Sequence, residues 1–559
     1  MISSLVSSII QSLQPDTNIT CTDNLDKAYN TTGSKCLDFF TRITRNAPLT
    51  DYIPTFFESF KEADNTALKV LLNLRDVREG KGEKLIPIVI MVCLKNMLPS
   101  DTYKTVLTKF LEYGCWKDLL RIVEIHNRLQ LELNPNLLVK NIDNSTEYKM
   151  FADQLALDYL IITNTETNTP KGISLCAKWA PSEKTHFNKH PVCAATQIAK
   201  LLNKNPKQYR LMIGKLREHL NVLERLMSTG QVDKIDFSKI PAVAMKKMKM
   251  SFNRDTNSEG VSSETRTKLH QTYQDYLSKL TKGEVKVNIK GIQPHELVTT
   301  YLRKNVALDP LVEGQWTALV DRTKKSGVFK NTTAIVDTSS SMDGQPLEVA
   351  VALGILVAEC TECTEPKILT FSDKPRWHKL TGNTLQEKVA AMDYSDWGGS
   401  TNLRNTFDLI LNDAITNKLT PDQVVSTLII FTDMQFNSAC SGPWESTFEY
   451  AQKTFESNGY KLPKIICWNL RTSTSKSLPV SQNDKGYSML SGFSSELLKH
   501  ILNGDELTPL SMMLHVLEPY EIAIKDNDLS DVPFTLDQLQ KAVTSSNIKK
   551  AFKRKPVDK

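Results

Sequence analysis

The sequence has no hydrophobic run long enough to cross a bilayer. Its two strongest candidates, residues 86–94 and 351–360, are about half as long as the roughly 20 residues that a membrane-spanning helix needs. The first residues, MISSLVSSIIQSL, lack the basic start and the cleavage site of a secretory signal, and their spacing predicts a short amphipathic helix. These absences favour a cytoplasmic or nuclear protein that is not secreted and has no membrane partner.

Several catalytic and covalent patterns are also absent. The ten cysteines do not have the spacing of a disulfide framework, so we expect reduced, mostly buried thiols. The segment NLRDVREGKGEK is rich in glycine and lysine but does not contain the P-loop pattern. No order of Ser, His and Asp, or of Cys and His, indicates a nucleophilic triad. We therefore predict a binding protein rather than an enzyme.

What the sequence does have is an uneven distribution of charge. Residues 171–300 contain 23 Lys and Arg against 11 Asp and Glu, a balance of +12. Residues 331–530 contain 15 against 25, a balance of −10, although the whole chain is only +6. A basic surface facing a polyanion would explain the first region, and attraction between the two regions is the simpler alternative.

Residues 1–327 predict an all-α domain. Segments such as TYKTVLTKFLEYG and WKDLLRIVEIHNRLQLEL repeat apolar residues at i, i+3, i+4 and i+7 and are separated by Gly, Pro or Asn. Consecutive amphipathic helices with short connections predict an antiparallel, HEAT-like helical array. No strict sequence period accompanies this pattern, so a true repeat is not established.

Residues 328–528 predict an α/β domain. Short apolar runs such as TTAIVDT, STLIIFTD and PKIICWNLR alternate with helical segments, a pattern typical of a parallel, doubly wound, Rossmann-like sheet. The runs TLIIF and KIICW place apolar residues on both faces of the strand, as strands covered on both sides must. We interpret residues 529–559 as a basic C-terminal tail.

Oxygen-bearing residues follow three segments of this predicted sheet. Asp337, Ser339 and Ser341 follow the first strand, Thr401 lies in the loop WGGSTNL, and Asp433 ends a later strand. In an open parallel sheet, ligands bind beyond the carboxyl ends of the strands, so we expect these side chains to meet. Hard oxygen donors suit Mg²⁺ or Mn²⁺, and two carboxylates leave a divalent cation with charge and coordination positions to spare.

This pattern, D-x-S-x-S followed by a Thr and then an Asp, resembles the metal-ion-dependent adhesion site of von Willebrand factor A domains. The resemblance implies that the two serines and Thr401 contact the metal, and that the aspartates act directly or through water. It also implies that the metal captures an acidic residue of a partner protein. Two departures concern the loop GGS, where Ser400 could replace Thr401, and Met434-Gln435 after Asp433, which would narrow the partner groove.

The helical half contains basic residues interleaved with aromatic ones, which can bind phosphates and stack on bases or can simply be solvated. The stretches RDVREGKGE, YGCWKDL, AKWAPSE and AVAMKKM resemble a family of plants, fungi, amoebae and giant DNA viruses. Its architecture is similar to that of the Ro (TROVE) ribonucleoproteins, in which a helical ring binds misfolded or small noncoding RNA. The candidate RNA-binding residues are Arg75, Arg78, Lys81, Lys178, Trp179, Lys246, Lys247, Lys249 and Arg254.

Three functions remain open at this point. The first is a non-enzymatic scaffold that binds small or structured RNA through its helices and a protein partner through its metal. The second is a protein–protein assembly factor, or a virion component if the protein is viral, without nucleic-acid binding. The third is a metal-dependent hydrolase, which the absence of an evident general base disfavours.

Overall fold

A computed structural model of the chain describes residues 18–546 apart from 25, 46, 165–171, 257–259, 328, 363–364, 372–373, 393–396, 398–401, 438–445, 473–476, 502–507 and 525–532. Strands and helices are numbered in chain order. The strands are β1 (Ile19–Cys21), β2 (Lys27–Tyr29), β3 (Thr332–Asp337), β4 (Lys367–Phe371), β5 (Arg376–Lys379), β6 (Thr427–Thr432), β7 (Lys464–Asn469) and β8 (Tyr487–Ser491). The predicted helix within the first 13 residues lies outside the described residues.

Helices predominate before residue 327 and alternate with strands after it. The first group is α1 (Lys35–Arg42), α2 (Leu49–Glu62), α3 (Asp64–Arg75), α4 (Leu85–Met97), α5 (Ser100–Tyr113), α6 (Lys117–Leu133), α7 (Ser145–Thr163), α8 (Cys176–Trp179), α9 (Ala194–Leu201), α10 (Pro206–His219), α11 (Leu223–Ser228), α12 (Ala242–Phe252), α13 (Glu264–Thr281), α14 (Pro294–Val298) and α15 (Pro310–Ser326). The second group is α16 (Gln345–Cys360), α17 (Leu385–Ala390), α18 (Leu403–Thr416), α19 (Thr447–Ser457), α20 (Leu498–Ile501), α21 (Pro509–Leu517) and α22 (Leu536–Ser545).

The larger sheet has the strand order β5-β4-β3-β6-β7-β8. Strands β4, β3, β6, β7 and β8 run parallel, so the chain leaves β3 for one side of the sheet and later returns to its other side at β6. Strand order therefore reverses between β3 and β6, and this switch point is where open parallel sheets form a ligand-binding crevice.

The predicted parallel sheet has one antiparallel strand at its edge. Strand β5 pairs antiparallel with β4. Only residues 372–375 connect the two strands, and a parallel crossover needs a connection of about a dozen residues or more. The sheet is therefore mixed, with five parallel strands and one antiparallel edge strand.

The central strands are buried on both faces. In β3, β6 and β7 every residue after the first is buried, although successive side chains point to opposite faces of a sheet. Helix α16 packs against β3, β4 and β6. A Cβ atom at Gly354 of α16 would lie only 2.7 Å from Cγ2 of Val336, so this glycine permits the close approach of helix and strand. The carboxyl end of β3 is thus fixed by tight packing.

Contacts divide the chain into two compact units, which do not follow the predicted boundary at residues 327 and 328. The sheet unit comprises Met1–Val70, Glu79–Lys81 and Gly291–Glu521, and the helical unit comprises Leu71–Arg78, Gly82–Lys290 and Ile522–Lys559. The first 70 residues join the sheet because β2 bridges to Leu478 and α1 packs against β8. The division of the sequence into residues 1–327 and 328–528 stays a prediction.

The predicted basic tail, residues 529–559, contains a packed helix. Helix α22 lies within it and packs against α6 in the helical unit. Leu539, Ala542 and Val543 are buried, as the i, i+3, i+4 spacing of an amphipathic helix requires. The Lys541 ammonium lies 3.1 Å from a Glu132 carboxylate oxygen. Residues 547–559, which carry most of the predicted basic charge, lie outside the described residues.

Candidate functional site

The end of β3 presents a fully buried carboxylate. Asp337 accepts a hydrogen bond from the Ser339 backbone N–H at 2.9 Å, which closes a tight turn after the strand. On its other oxygen it accepts from the Thr432 hydroxyl of β6 at 2.7 Å. These two hydrogen bonds fix the carboxylate between β3 and β6, at the switch point of the sheet.

Two serine hydroxyls follow in the same turn. A short 3₁₀ helix, Ser340–Met342, begins directly after Ser339. It brings the Ser339 and Ser341 Oγ atoms to 3.1 Å from each other, so one hydroxyl donates to the other. The D-x-S-x-S pattern therefore produces a carboxylate and two hydroxyls within one turn of chain.

Asp433 supplies a second buried carboxylate from the neighbouring strand. It follows β6 directly, is 3% exposed, and accepts from the Gln435 backbone N–H at 3.2 Å. Burial, and then the charge of Asp433, raise the pKa of Asp337 to about 7. Two neighbouring buried carboxylates are an unfavourable pair unless a proton or a cation offsets their charge.

The donor set fits a hard divalent cation. It consists of two carboxylates and two hydroxyls, all oxygen, which matches the preference of Mg²⁺ and Mn²⁺. Within the described ranges, no three His, Cys, Asp or Glu side chains gather as a soft or carboxylate-rich metal site would require. Thr401 and Ser400 lie outside the described residues, so their part in the set stays a prediction.

The N-terminal hairpin of β1 and β2 holds the loop after Asp433, and no sequence pattern predicts this contact. The Thr22 hydroxyl donates to the Phe436 carbonyl at 2.7 Å, and the Asp23 N–H donates to the Gln435 side-chain oxygen at 2.8 Å. The Asn24 side chain donates to the Gln435 carbonyl at 2.9 Å. These partners are more than 400 residues apart, so only the fold could reveal them.

Two of the predicted RNA-binding residues are buried, and for these the prediction was wrong. Arg75 and Lys81 are each 1% exposed, so neither cation can reach a phosphate. The Arg75 Nε donates to Asp118 at 2.7 Å. The Lys81 Nζ donates to the Phe40 carbonyl and to the Ser491 hydroxyl, the latter at 2.7 Å, and lies 4.3 Å from the Phe40 ring centre.

The other predicted basic residues lie at the surface of the helical unit. Lys246, Lys247, Arg78 and Arg254 are exposed, and the Arg78 guanidinium donates to the Glu112 carbonyl at 2.6 Å. Lys249 is half-buried, and this burial lowers its pKa.

Lys117, in the stretch YGCWKDL, lies beside aromatic residues that include Trp179 of the stretch AKWAPSE. Its ammonium lies 5.1 Å from the Trp179 ring centre and 5.8 Å from that of Phe187, while the Lys178 ammonium lies 5.7 Å from Trp179. Burial lowers the pKa of Lys117, and the nearby charges of Arg121 and then Lys247 lower it further. We call Lys117, Lys178, Trp179, Phe187 and Lys247 the basic–aromatic cluster.

Helix α10 holds the segment that carries Lys178 and Trp179. The Arg217 guanidinium donates to the Ala177 carbonyl at 3.0 Å and to the Ala180 carbonyl at 2.6 Å. The Tyr209 hydroxyl donates to the Pro181 carbonyl at 3.0 Å. These hydrogen bonds hold the short helix α8 in place, and they thereby fix the position of the half-buried Lys178 and Trp179 side chains.

Residues 22–150 and 145–329 match the family described as a domain of unknown function, DUF2828. The chain belongs to this family. Residues 331–533 match a second domain of unknown function, DUF7788, so the two matches meet close to the predicted boundary at residue 328. Uncharacterized protein L728 of Acanthamoeba polyphaga mimivirus is 54% identical over 548 residues, which cover 96% of this chain and 95% of that protein. A relative from a giant virus agrees with the resemblance drawn from the sequence. Among the described residues, no helix is long and apolar enough to span a membrane.

Proposed function

We propose that this DUF2828 protein is a non-enzymatic scaffold whose sheet unit holds Mg²⁺ or Mn²⁺ and uses it to bind an acidic partner residue. The observation that carries the proposal is the meeting of Asp337, Ser339, Ser341 and Asp433 at the switch point of the sheet. This arrangement supports kinship with von Willebrand factor A domains, and the preceding helical array supports a TROVE-like architecture.

The residues of the site would each have a defined task. Asp337 and Asp433 would supply two negative charges, and the two serine hydroxyls would supply neutral oxygen ligands. Thr432, which donates to Asp337, would orient that carboxylate. A bound divalent cation would supply a net positive charge and open coordination positions for an anionic group. A metal-dependent hydrolase, the least favoured alternative, would need a general base in addition to these ligands.

Metal binding is testable by thermal unfolding. At a Mg²⁺ or Mn²⁺ concentration 100 times the dissociation constant, binding stabilises the folded protein by about 2.7 kcal/mol, which raises the melting temperature by a few degrees. The Asp337→Asn variant keeps the size of the side chain but removes a charged ligand. We expect it to lose the metal-induced rise.

The matched control is Asp343→Asn, which removes an exposed carboxylate six residues further along the chain. This variant should retain the full metal-induced rise. If the unmutated protein shows no rise with either cation, the proposed metal function is wrong, whatever the variants do.

The basic–aromatic cluster favours a second function in the helical unit, the binding of RNA. Lysines 117, 178 and 247 would contact phosphates, and the Trp179 ring would stack on a base. Burial, and then the charges of Arg121 and Lys247, lower the pKa of Lys117, and a phosphate would offset this crowding of positive charge. The alternative is an assembly factor or virion component that binds no nucleic acid.

Changing Lys117, Lys178 and Lys247 together to Glu should weaken RNA binding about 10- to 100-fold at low salt, because three phosphate contacts become repulsive. The plot of log affinity against log salt should become shallower by about 2, since each contact to a single strand contributes about 0.7. Gel-shift or fluorescence anisotropy titrations between 50 and 200 mM salt measure both quantities.

The control changes three exposed lysines on and after α13, Lys279, Lys282 and Lys286, to Glu. This set removes the same charge from the same unit but leaves the cluster intact, and it should reduce affinity far less. If the unmutated protein does not bind RNA at low salt, the RNA-binding function is wrong. An assembly factor or virion component that binds no nucleic acid would then be the better proposal.

A further inference from the structure

A cleft of about 400 Å³ lies beside Asp433 within the sheet unit. The N-terminal helices α1 and α2 contribute Arg42, Asp51 and Thr55 to its walls. The loop after β6 contributes Asp433 and Met434, and the end of β7 contributes Asn469. The cleft is narrow. Only a small group can enter beside the proposed metal, and a flat protein surface cannot.

The guanidinium of Arg42 has an unsatisfied donor. Its Nη2 donates to the Asn30 carbonyl, but within the described part of the chain its buried Nε has no hydrogen-bond partner. Buried donors are nearly always satisfied, so one that is not points to a missing acceptor. An anionic oxygen in the cleft would satisfy it with a charge-assisted hydrogen bond.

The charges on the walls decide what kind of group can enter. Arg42 carries one positive charge, and Asp51 and Asp433 carry two negative charges, so the walls are net negative without a metal. Asp337, the other charged ligand of the proposed metal, adds a third negative charge beside the cleft. A divalent cation would bring the balance from two net negative charges to zero, so it would remove the repulsion of an anion and make binding of the anion depend on the metal. A site without excess positive charge suits a monoanion such as a carboxylate better than a doubly charged phosphate.

The wall next to Asp433 has little freedom to move. Met434 has φ +67°, a left-handed conformation that a non-glycine residue adopts at an energetic cost. Its N–H donates to the Thr432 hydroxyl at 3.2 Å, and the N-terminal hairpin holds the two residues that follow. A strained residue kept in place by its neighbours is typical of a preorganised ligand site.

We propose that Arg42 is a specificity-determining residue of the metal site. Its guanidinium donates a hydrogen bond to one oxygen of a carboxylate, and the other oxygen of that carboxylate binds the cation. This inference rests on the proposed metal function. The carboxylate belongs to an Asp or Glu in an extended, flexible segment of the partner, because only a single side chain fits the cleft. Arg42 comes from the N-terminal region, so the A-domain-like part of the chain is incomplete as a binding site by itself.

The test uses the full chain, Mn²⁺ and acetate. Mn²⁺ bound to the protein enhances the relaxation of water protons, and a carboxylate that replaces water on the metal lowers this enhancement. In the unmutated protein, acetate should lower it with saturation. In Arg42→Gln, the Mn²⁺ affinity should stay within about twofold, whereas acetate should bind about tenfold more weakly, as expected for the loss of one charge-assisted hydrogen bond.

Two controls separate the outcomes. Lys35→Gln removes an exposed cation from the same helix, α1, and should leave both affinities unchanged. Arg42→Lys keeps the charge and should bind acetate with intermediate affinity, which also guards against a folding defect in Arg42→Gln. Circular dichroism of each variant checks that the protein is folded.

Failure of the inference and failure of the metal function give different results. If Mn²⁺ does not bind the unmutated protein, both fall. If Mn²⁺ binds and acetate binds the Arg42→Gln and unmutated proteins equally, only the role of Arg42 is overturned. If inorganic phosphate replaces water more tightly than acetate and depends on Arg42, the carboxylate assignment is wrong.

Discussion

Replacing Asp118 by alanine is expected to lower the free energy of unfolding of the helical unit by about 3–5 kcal/mol, the usual effect of removing one partner of a buried ion pair. The Arg75 and Asp118 side chains are 2% and 0% exposed, and the Arg75 Nη2 lies 2.7 Å from Asp118 Oδ2. Asp118 also accepts from the Cys115 backbone N–H at 3.0 Å and lies 3.4 Å from Arg121. Its loss would leave the Arg75 charge buried with too few acceptors.

Denaturant unfolding followed by circular dichroism measures this change. The double variant Arg75→Met, Asp118→Leu removes both charges together and should lose much less stability, because no uncompensated ion remains. The surface pair Lys109–Glu112 is the comparison, since its side chains are 35% and 51% exposed. The Glu112→Ala variant should change stability by less than about 1 kcal/mol. A loss that small for Asp118→Ala would refute the buried-pair interpretation.

This ion pair also explains why the sequence misled about the RDVREGKGE segment. Arg75 and Lys81 look like solvated cations because their segment is rich in glycine and in charges of both signs. The partner of Arg75 is Asp118, 43 residues further along, and the partners of Lys81 include Ser491, 410 residues further along. Sequence periodicity carries no information about contacts at such separations, so burial of these cations could not be predicted.

The meeting of the oxygen-bearing side chains at one edge of the sheet was predictable for a local reason. Asp337, Ser339 and Ser341 lie within five residues of one another at the carboxyl end of β3, and Asp433 directly follows a second apolar strand, β6. Parallel strands place such residues at one edge of a sheet whatever the loops do. The predicted helical and α/β regions were recognisable for a similar reason, since each element records its own period in the sequence.

The walls of the cleft beside the cluster were not predictable. Arg42 and Asp51 lie in amphipathic helices whose sequences look like any others in the helical region. Their placement beside Asp433 depends on the hairpin of β1 and β2 and on the contact of α1 with β8. The sequence records that these helices have one apolar face but not which surface that face meets. The side chains at the edge of the sheet could therefore be predicted, but the helices that pack beside that edge could not.

Acid should destabilise the helical unit through His126. This side chain of α6 is 5% exposed, and its Nδ1 lies 3.4 Å from the Asn96 side-chain nitrogen. Burial, and then the charge of Lys95, lower the pKa of His126 from 6.5 to about 3. The folded protein therefore keeps this imidazole neutral at pH values where the unfolded chain protonates it. The stability contribution of neutral His126 is fully present above pH 6.5. The free energy of unfolding then decreases by about 1.4 kcal/mol per pH unit as the pH falls from 6.5 to 3.

At pH 5 this linkage amounts to about 2 kcal/mol, measured as the drop in unfolding free energy between pH 7.5 and pH 5. The His126→Gln variant cannot take up the proton and should show a drop smaller by that amount, even if it is less stable at pH 7.5. His219→Gln, at an exposed position of α10, is the control and should leave the drop unchanged. Because all three proteins share every other titrating group, the difference between them isolates His126. Equal drops in the unmutated and His126→Gln proteins would mean that the folded unit admits the proton, and that this region of α6 opens to water at acidic pH.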